Sequence, residues 1–224
     1  MGPTLCAGPT SSHRARDATM SHLVVIRHAT TAPSSEGLFV GRADPPLSER
    51  GREQAMAWQP FGEHHVDAWT YHSPLVRAEQ TAMLGGFSSP EPAELLIEWD
   101  LGELEGVVAD DYRSRHPDWS LFVDGPPDGS GERPDAVAIR AEAAVGKLYE
   151  PLAKGQIAVF IAHGQFLKAL ATVVLGLPLR DAGRFALGPA RAGLFTRRRT
   201  GRVALTGWNL PAPARPAEFF EDLT

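Results

Sequence analysis

Residues 22–35 read HLVVIRHATTAPSS. The four consecutive apolar residues Leu23 to Ile26 predict a buried strand over 22–27. That strand runs directly into Arg27, His28 and a cluster of small and hydroxylated residues. A buried strand that ends on a cation and an imidazole aims its end at a ligand, and open α/β sheets place their ligand sites at the carboxyl ends of strands.

The rest of the chain alternates short apolar runs with helical periodicity, the pattern of an α/β fold. Ser48 is placed to cap a helix whose polar first turn is followed by Ala55, Met56 and Trp58. DAWTYHS (67–73) reads as a second strand and PLVRAEQTAML (74–84) as the helix behind it, with Pro74 in its first turn. A helix is predicted over Glu132–Glu150, with Val137, Ala141, Ala144, Val145 and Leu148 on one face. QIAVFIAH (156–163) is the most strand-like run. GQFLKALATVVLG follows as a helix ended by Gly176 and Pro178, and AGLFTR with RVALTGW suggests a closing hairpin. The Pro/Gly-rich stretch VDGPPDGSGERP (123–134) reads either as a plain connector or as a flap over a site.

With 224 residues, 43% hydrophobic and 22% charged, the sequence suits one globular domain with a real core. Its net charge of −5 argues against nucleic acid as a partner. The run Arg197-Arg198-Arg199 fits a solvated strand end better than a binding patch. One cysteine, Cys6, excludes an intramolecular disulfide and a thiolate metal cluster. No apolar run approaches the length of a membrane span. Residues 1–19 lack an apolar stretch of the secretory type, so the expectation is either a disordered, dispensable tail or a translation start at Met20, with 20–224 as a single catalytic domain. A cytoplasmic location is the corresponding expectation; a homodimer is left open.

Arg27-His28 alone says little, since the chain has a second such pair, Arg115-His116, in a stretch that reads as helical and exposed. Context separates them. The strand 156–163 also ends on a histidine, His163, followed by Gly164. The strand ending at His72-Ser73 is followed one helical turn later by Arg77. Separate elements thus deliver Arg27, His28, Arg77 and His163 towards one sheet edge. Arginines offer planar, bidentate donors that match phosphate oxygens and keep their charge. A neutral histidine can be a nucleophile, and neighbouring arginines favour its neutral form. A second histidine can stabilise charge on phosphoryl oxygens. This is a phosphoryl-transfer set without a metal or cofactor: no ligand spacing is present, and the adjacent His64 and His65 face different ways and read as surface residues.

Arg27-His28-Ala29-Thr30 resembles the Arg-His-Gly motif of the histidine phosphatase (phosphoglycerate mutase-like) superfamily. The similarity continues through GRADPPLSERGREQA, SPLVRAEQTA, LIEWDLGELEG and FIAHGQFLKAL, in the family's order, over about residues 22–210. The resemblance implies a three-layer α/β sandwich with a mostly parallel central sheet flanked by helices. It implies that His28 becomes phosphorylated and that Arg27, Arg77 and His163 hold the phosphoryl group. Glu98 matches the family's proton donor; some carboxylic acid is required in any case, because a sugar alkoxide leaves poorly unless protonated. Glu103 and Glu105 are the competitors for that role, but Glu105 is expected to brace its loop and Glu103 to be exposed. Ser34, Gly41 and Gly164 match substrate-side positions alongside Arg27 and Arg77.

Three departures stand out: Ala29 replaces a glycine, Thr30 a Glu or Gln, and Val40 a hydroxylated residue. The compact interval between Glu98 and His163 resembles the acid phosphatase and sedoheptulose-bisphosphatase-like branch. The leading expectation is therefore a phosphatase acting on a small phosphorylated metabolite through a phosphohistidine. A cofactor-dependent phosphoglycerate mutase and a non-catalytic phospholigand-binding module are the alternatives. Ser34, Arg42, Trp99 and the 123–134 stretch are the expected walls that set specificity.

Overall fold

Leu23, Val24, Val25 and Ile26 are all buried, and successive side chains on a strand face opposite ways. A strand apolar on both faces needs cover on both. The computed structural model, which describes residues 20–153, 155–198 and 200–220, supplies it. The tail expected over 1–19, with Cys6, lies outside the described residues, as do the side chain of Leu148, Arg199 and residues 221–224.

In chain order the elements are β1 (Ser21–Arg27), α1 (Ala32–Ser35), α2 (Glu49–Met56), α3 (Gln59–His64), β2 (Trp69–His72), α4 (Val76–Leu84), β3 (Glu91–Pro92), α5 (Ala109–Arg115), α6 (Leu121–Asp124), α7 (Pro134–Ala153), β4 (Ile157–Ala162), α8 (Gly164–Leu175), β5 (Ala192–Arg197) and β6 (Val203–Leu210). The strands form one sheet in the order β3-β2-β4-β1-β5-β6. The first four are mutually parallel, while β5 and β6 complete the sheet antiparallel, as the closing hairpin. Leu23 and Val25 pack with Trp99, Phe160 and Phe166 on the face covered by α7 and α8. Val24 and Ile26 pack with Trp58, Phe61, Val159 and Ile161 on the side of α2, α3 and α4. The expected three-layer sandwich with a mostly parallel sheet is present. No helix among the described residues is long and apolar enough to cross a membrane.

Boundaries differ from the sequence reading where long-range contacts intervene. Ser48 caps α2, its Oγ accepting from the Gly51 N–H at 3.1 Å. α4, however, starts at Val76 rather than in the turn holding Pro74. Ser73 is still tied to the sheet, its N–H donating to the Ile161 carbonyl, and the Val76 N–H is taken by the Asp44 carboxylate at 2.8 Å. α7 runs from Pro134 to Ala153, past the position where the sequence ended it.

The 123–134 stretch is pinned to the body. Glu132 forms a two-pronged pair with Arg140, 2.7 and 2.8 Å, its carbonyl accepts from Trp99 Nε1, and its N–H donates to the Asp100 carbonyl. Ser130 Oγ accepts from the Glu103 N–H. These contacts fit a connector clamped to the 99–103 loop, not a free flap. Both partners of the Glu132–Arg140 pair are largely buried. Glu132→Ala therefore leaves a buried cation unpaired and is expected to cost about 3 kcal/mol. In a chain of this size that is a melting-temperature drop of roughly 6–12 °C, measurable by calorimetry, with faster proteolysis inside 123–134.

Candidate active site

Register builds the site. β1 and β4 pair in parallel from His22 against Ile157 to Arg27 against Ala162, so the residues that follow, His28 and His163, emerge side by side. Their ring centroids lie 5.1 Å apart. β2 pairs on the other side of β4, His72 against Ile161, so Ser73 emerges beside His163. From the first turn of α4, Arg77 reaches His163 and lies close enough to act on the His28 ring as well.

The hydrogen bonds fix the tautomers. His28 Nδ1 lies 2.7 Å from the Ala29 carbonyl, which can only accept. The His28 proton is therefore on Nδ1, and Nε2 keeps its lone pair. Arg77 Nε lies 3.2 Å from His163 Nδ1 and can only donate, so the His163 proton is on Nε2, directed at Ser73 Oγ 2.7 Å away. Burial, with Arg77 and then Arg27 beside it, holds the His28 imidazole well below the ordinary histidine range. Burial, Arg77, His28, Arg27 and Arg140 do the same to His163. Both rings are neutral at pH 7.

A cavity of about 100 Å³ opens over His28 and is lined in part by Arg27, Ser34, Glu98, Gly164 and Lys168. Arg27 donates from Nη1 to the Leu187 carbonyl at 2.8 Å, while its Nε is buried with no hydrogen-bond partner. An orphaned guanidinium donor beside a neutral imidazole is a place for an anion. Gly164 makes room for it: a Cβ there would lie 3.1 Å from Arg27 Nε.

Glu98 is set by backbone. Its Oε1 accepts from the Trp99 and Phe166 N–H groups, both at 2.9 Å, and Oε2 accepts from the Gln165 N–H at 3.2 Å. Oε1 is saturated, so the remaining position, on Oε2, can carry or take a proton. The carboxyl group thus sits on the first turn of α8.

Arg77 and His163 are fully buried and lie one layer behind the cavity wall. Arg77 Nη1 and Nη2 donate to the Ala43 and Gly41 carbonyls at 2.6 and 2.8 Å, and Nη1 also lies 3.7 Å from the Asp44 carboxylate. Gly41 belongs to the same layer; a Cβ on it would approach the Trp99 carbonyl to 2.8 Å. Glu105 accepts from the N–H groups of Gly41, Arg42 and Ala43 and braces that loop, while Glu103 is exposed.

Ser34 lines the cavity, but its hydroxyl is engaged with Thr31 in the cap of α1. Val40 lines the cavity without a hydroxyl. Ala29 is buried, and Thr30 donates to Gln54 Oε1 at 2.8 Å, away from the cavity. Trp99, expected as a wall, is instead a core residue with no exposed surface. Arg42 lies out towards Glu132, 3.8 Å away. His64 is exposed, whereas His65 packs on Phe61 and Phe220. Among the described residues, no group of three His, Cys, Asp or Glu side chains could hold a metal ion.

This constellation can be compared with known proteins. A family model described as histidine phosphatase superfamily, branch 1, matches residues 23–211. The chain belongs to the histidine phosphatase superfamily. This histidine phosphatase is 36% identical over 174 residues to an acid phosphatase of Mycobacterium tuberculosis, covering 77% of this chain and 84% of the relative. It is 30% identical to a 2,3-bisphosphoglycerate-dependent phosphoglycerate mutase of Bradyrhizobium, over 68% of this chain and 80% of that one. Its fold superposes on a mycobacterial glucosyl-3-phosphoglycerate phosphatase with a TM-score of 0.72 at 27% identity, covering 84% of this chain and 98% of that chain.

Ser73 escaped the sequence reading as a site residue. The signal was present, since it follows a strand that pairs with the one carrying His163, but the pairing is not written in the letters. Lys168 and Arg113, also on the cavity wall, were likewise missed. The tautomers give a direct test. Long-range proton–nitrogen NMR spectra at pH 6, where an ordinary histidine is mostly charged, are expected to show both rings neutral, with His28 protonated on Nδ1 and His163 on Nε2. A cationic ring at that pH contradicts the electrostatic account.

Proposed function

We propose that this histidine phosphatase hydrolyses small phosphomonoesters by passing the phosphoryl group through Nε2 of His28. The observation that carries the reading is the neutral His28 with its free Nε2 beside the unpartnered Nε–H of Arg27, both in one cavity with Glu98. The phosphoryl oxygens take the Arg27 donor, and the charge that grows on them is further offset by Arg77 and His163 behind the ring. The Nε2 lone pair forms the N–P bond as the ester P–O bond breaks. The departing electron pair stays on the ester oxygen, which takes the proton from Glu98, and the alcohol leaves. Water then attacks phosphorus and gives a proton to Glu98. The N–P bond breaks, its electron pair returns to Nε2, and phosphate departs.

The proposal extends to a small phosphorylated metabolite rather than nucleic acid as the partner and to a cytoplasmic setting. A net charge of −5 and a single cysteine support those two points. Similarity to phosphoglycerate mutases favours one second reading, transfer back onto a glycerate instead of onto water. Turnover without added 2,3-bisphosphoglycerate, with stoichiometric phosphate release, decides for the phosphatase.

His28→Ala is expected to retain the fold and lose all but trace activity, and quenched wild-type enzyme to carry an acid-labile, alkali-stable phosphate on one histidine. Activity is expected to persist in EDTA. Glu98→Gln keeps an acceptor for the backbone donors but has no proton to give. It should slow phosphohistidine formation from sugar phosphates by about a hundred- to ten-thousandfold. The loss with p-nitrophenyl phosphate should be far smaller, since nitrophenolate leaves as the anion. Equal losses on both substrates assign Glu98 to binding or structure instead.

A further inference from the structure

Where the chain leaves β1, each peptide is tied to a different element. The His28 N–H donates to the Ala162 carbonyl at 2.8 Å, and the His28 carbonyl accepts from the Ala190 N–H at 3.2 Å. The Ala29 N–H donates to Thr81 Oγ1 at 3.0 Å, and that hydroxyl donates in turn to the Arg77 carbonyl at 2.7 Å. The Thr30 carbonyl accepts from the N–H and the hydroxyl of Ser48, at 3.0 and 3.1 Å.

The peptide between Ala29 and Thr30 is held differently. Its carbonyl accepts the Nδ1 proton of His28 at 2.7 Å, and its N–H donates to Gln54 Oε1 at 3.1 Å. A trans peptide is planar with its C=O and N–H pointing opposite ways, and none of the described peptides is cis. Fixing the N–H end therefore fixes the direction of the carbonyl. Thr30 Oγ1 donates to the same Gln54 oxygen at 2.8 Å, so two donors of one residue converge on it. Among the described residues no other hydrogen bond holds this peptide.

The helix α2 brings Gln54 to that place. Its cap, Ser48, is bonded to the Thr30 carbonyl, and at Gly51 a Cβ would collide with the same carbonyl. The glycine lets the helix seat directly on Thr30, and Gln54, three residues further on, follows on the same face. Gln54 is half-buried and is not one of the residues that line the cavity.

A neutral imidazole carries one ring proton, and the hydrogen bond made by one nitrogen decides which of the two bears it. Without a fixed acceptor at Nδ1, the proton is free to sit on Nε2, and Nε2 then has no lone pair with which to attack phosphorus. As the N–P bond forms, the proton stays on Nδ1 and the ring takes up positive charge. The Nδ1–H becomes a stronger donor, so the Ala29 carbonyl favours the phosphorylated ring over the resting one.

We propose that Gln54 is a positioning residue for the nucleophile: by holding the Thr30 N–H it turns the Ala29 carbonyl towards His28 and keeps the Nε2 lone pair open. Thr30, a departure from the family pattern, contributes its hydroxyl to this contact. The kinetic consequence rests on the phosphatase reading; the effect on the ring proton does not.

Gln54→Met removes the acceptor and keeps the length of the side chain. Long-range proton–nitrogen NMR spectra of this variant at pH 7 are expected to show His28 carrying its proton partly or wholly on Nε2, with His163 as in wild type. Its kcat should fall about ten- to a hundredfold, the range for removing a partner that orients a functional histidine, with KM little changed. The loss should be equal on sugar phosphates and p-nitrophenyl phosphate, because the nucleophile serves both. Gln54→Glu, which keeps an oxygen for both donors, should restore the Nδ1 tautomer and most of the rate. Should Gln54→Met fail to fold, Gln54→Asn, which stays polar but withdraws the oxygen from Thr30, is read by the same measurements. An unchanged His28 tautomer or an unchanged kcat in a folded variant overturns the proposal, whatever happens to the melting temperature, and leaves the phosphatase reading standing. If wild-type enzyme forms no phosphohistidine from any ester, the phosphatase reading falls, and the ring-proton comparison alone decides whether Gln54 sets the tautomer.

Discussion

The parallel register of β1 against β4 is the constraint from which the site follows. Arg27 pairs with Ala162, and the His28 N–H donates to the Ala162 carbonyl at 2.8 Å. A shift of one residue would turn every side chain of β1 to the opposite face. Val24 and Ile26 would exchange cores with Leu23 and Val25, and His28 would no longer emerge beside His163. The two apolar layers therefore specify the histidine pair as strictly as any contact between the rings does. Adjacent parallel strands need a long crossover, and here that crossover contains α1 through α7. The intervening chain supplies Arg77 and Glu98 on its way.

What the strands position, burial and charge then tune. Burial first, and then the nearby charges of Arg77 and Arg27, keep both rings neutral, and each ring has one nitrogen engaged by a group of fixed polarity: a carbonyl for His28, a guanidinium for His163. Arg77 has a second task. Its other nitrogens hold the carbonyls of Gly41 and Ala43, whose N–H groups are held in turn by Glu105. The loop carrying Gly41, His163 beside His28 and the base of the cavity thus share one buried cation, so a change in the 41–44 loop is felt at His163.

Much of this was legible in the letters. β1, β4 and α8 were readable because continuous apolar runs are bounded by glycine or charge, and their ends named Arg27, His28 and His163. Arg77 followed from helical spacing behind β2. Glu98 came only through the resemblance, because its partners, the N–H groups of Gln165 and Phe166, are backbone atoms that any residue type offers. Ser73 and Lys168 were missed for a related reason: one acquires its role from strand pairing, the other from the cavity its helix faces. The start of α4 was misplaced because its cap comes from Asp44, over thirty residues upstream. Trp99 and the 123–134 stretch were expected at the cavity, but polar residues and prolines near a motif do not show which way a loop folds. A fully buried indole and the Glu132–Arg140 pair turn this one onto the body.

The position of β1 in the sheet also bears on how the protein comes into being. It lies between β4 and β5, and its residue His22 pairs with Ile157 and Thr196, 135 and 174 positions further on. At a synthesis rate of about 5–20 residues per second, β1 leaves the ribosome roughly 7 to 27 seconds before its first neighbour does. Throughout that interval an apolar strand with two unpaired edges has no sheet to join, the kind of segment that nascent-chain chaperones shield. His28 and His163 cannot be set side by side until β4 has been made, so the candidate site is incomplete for most of the chain's synthesis.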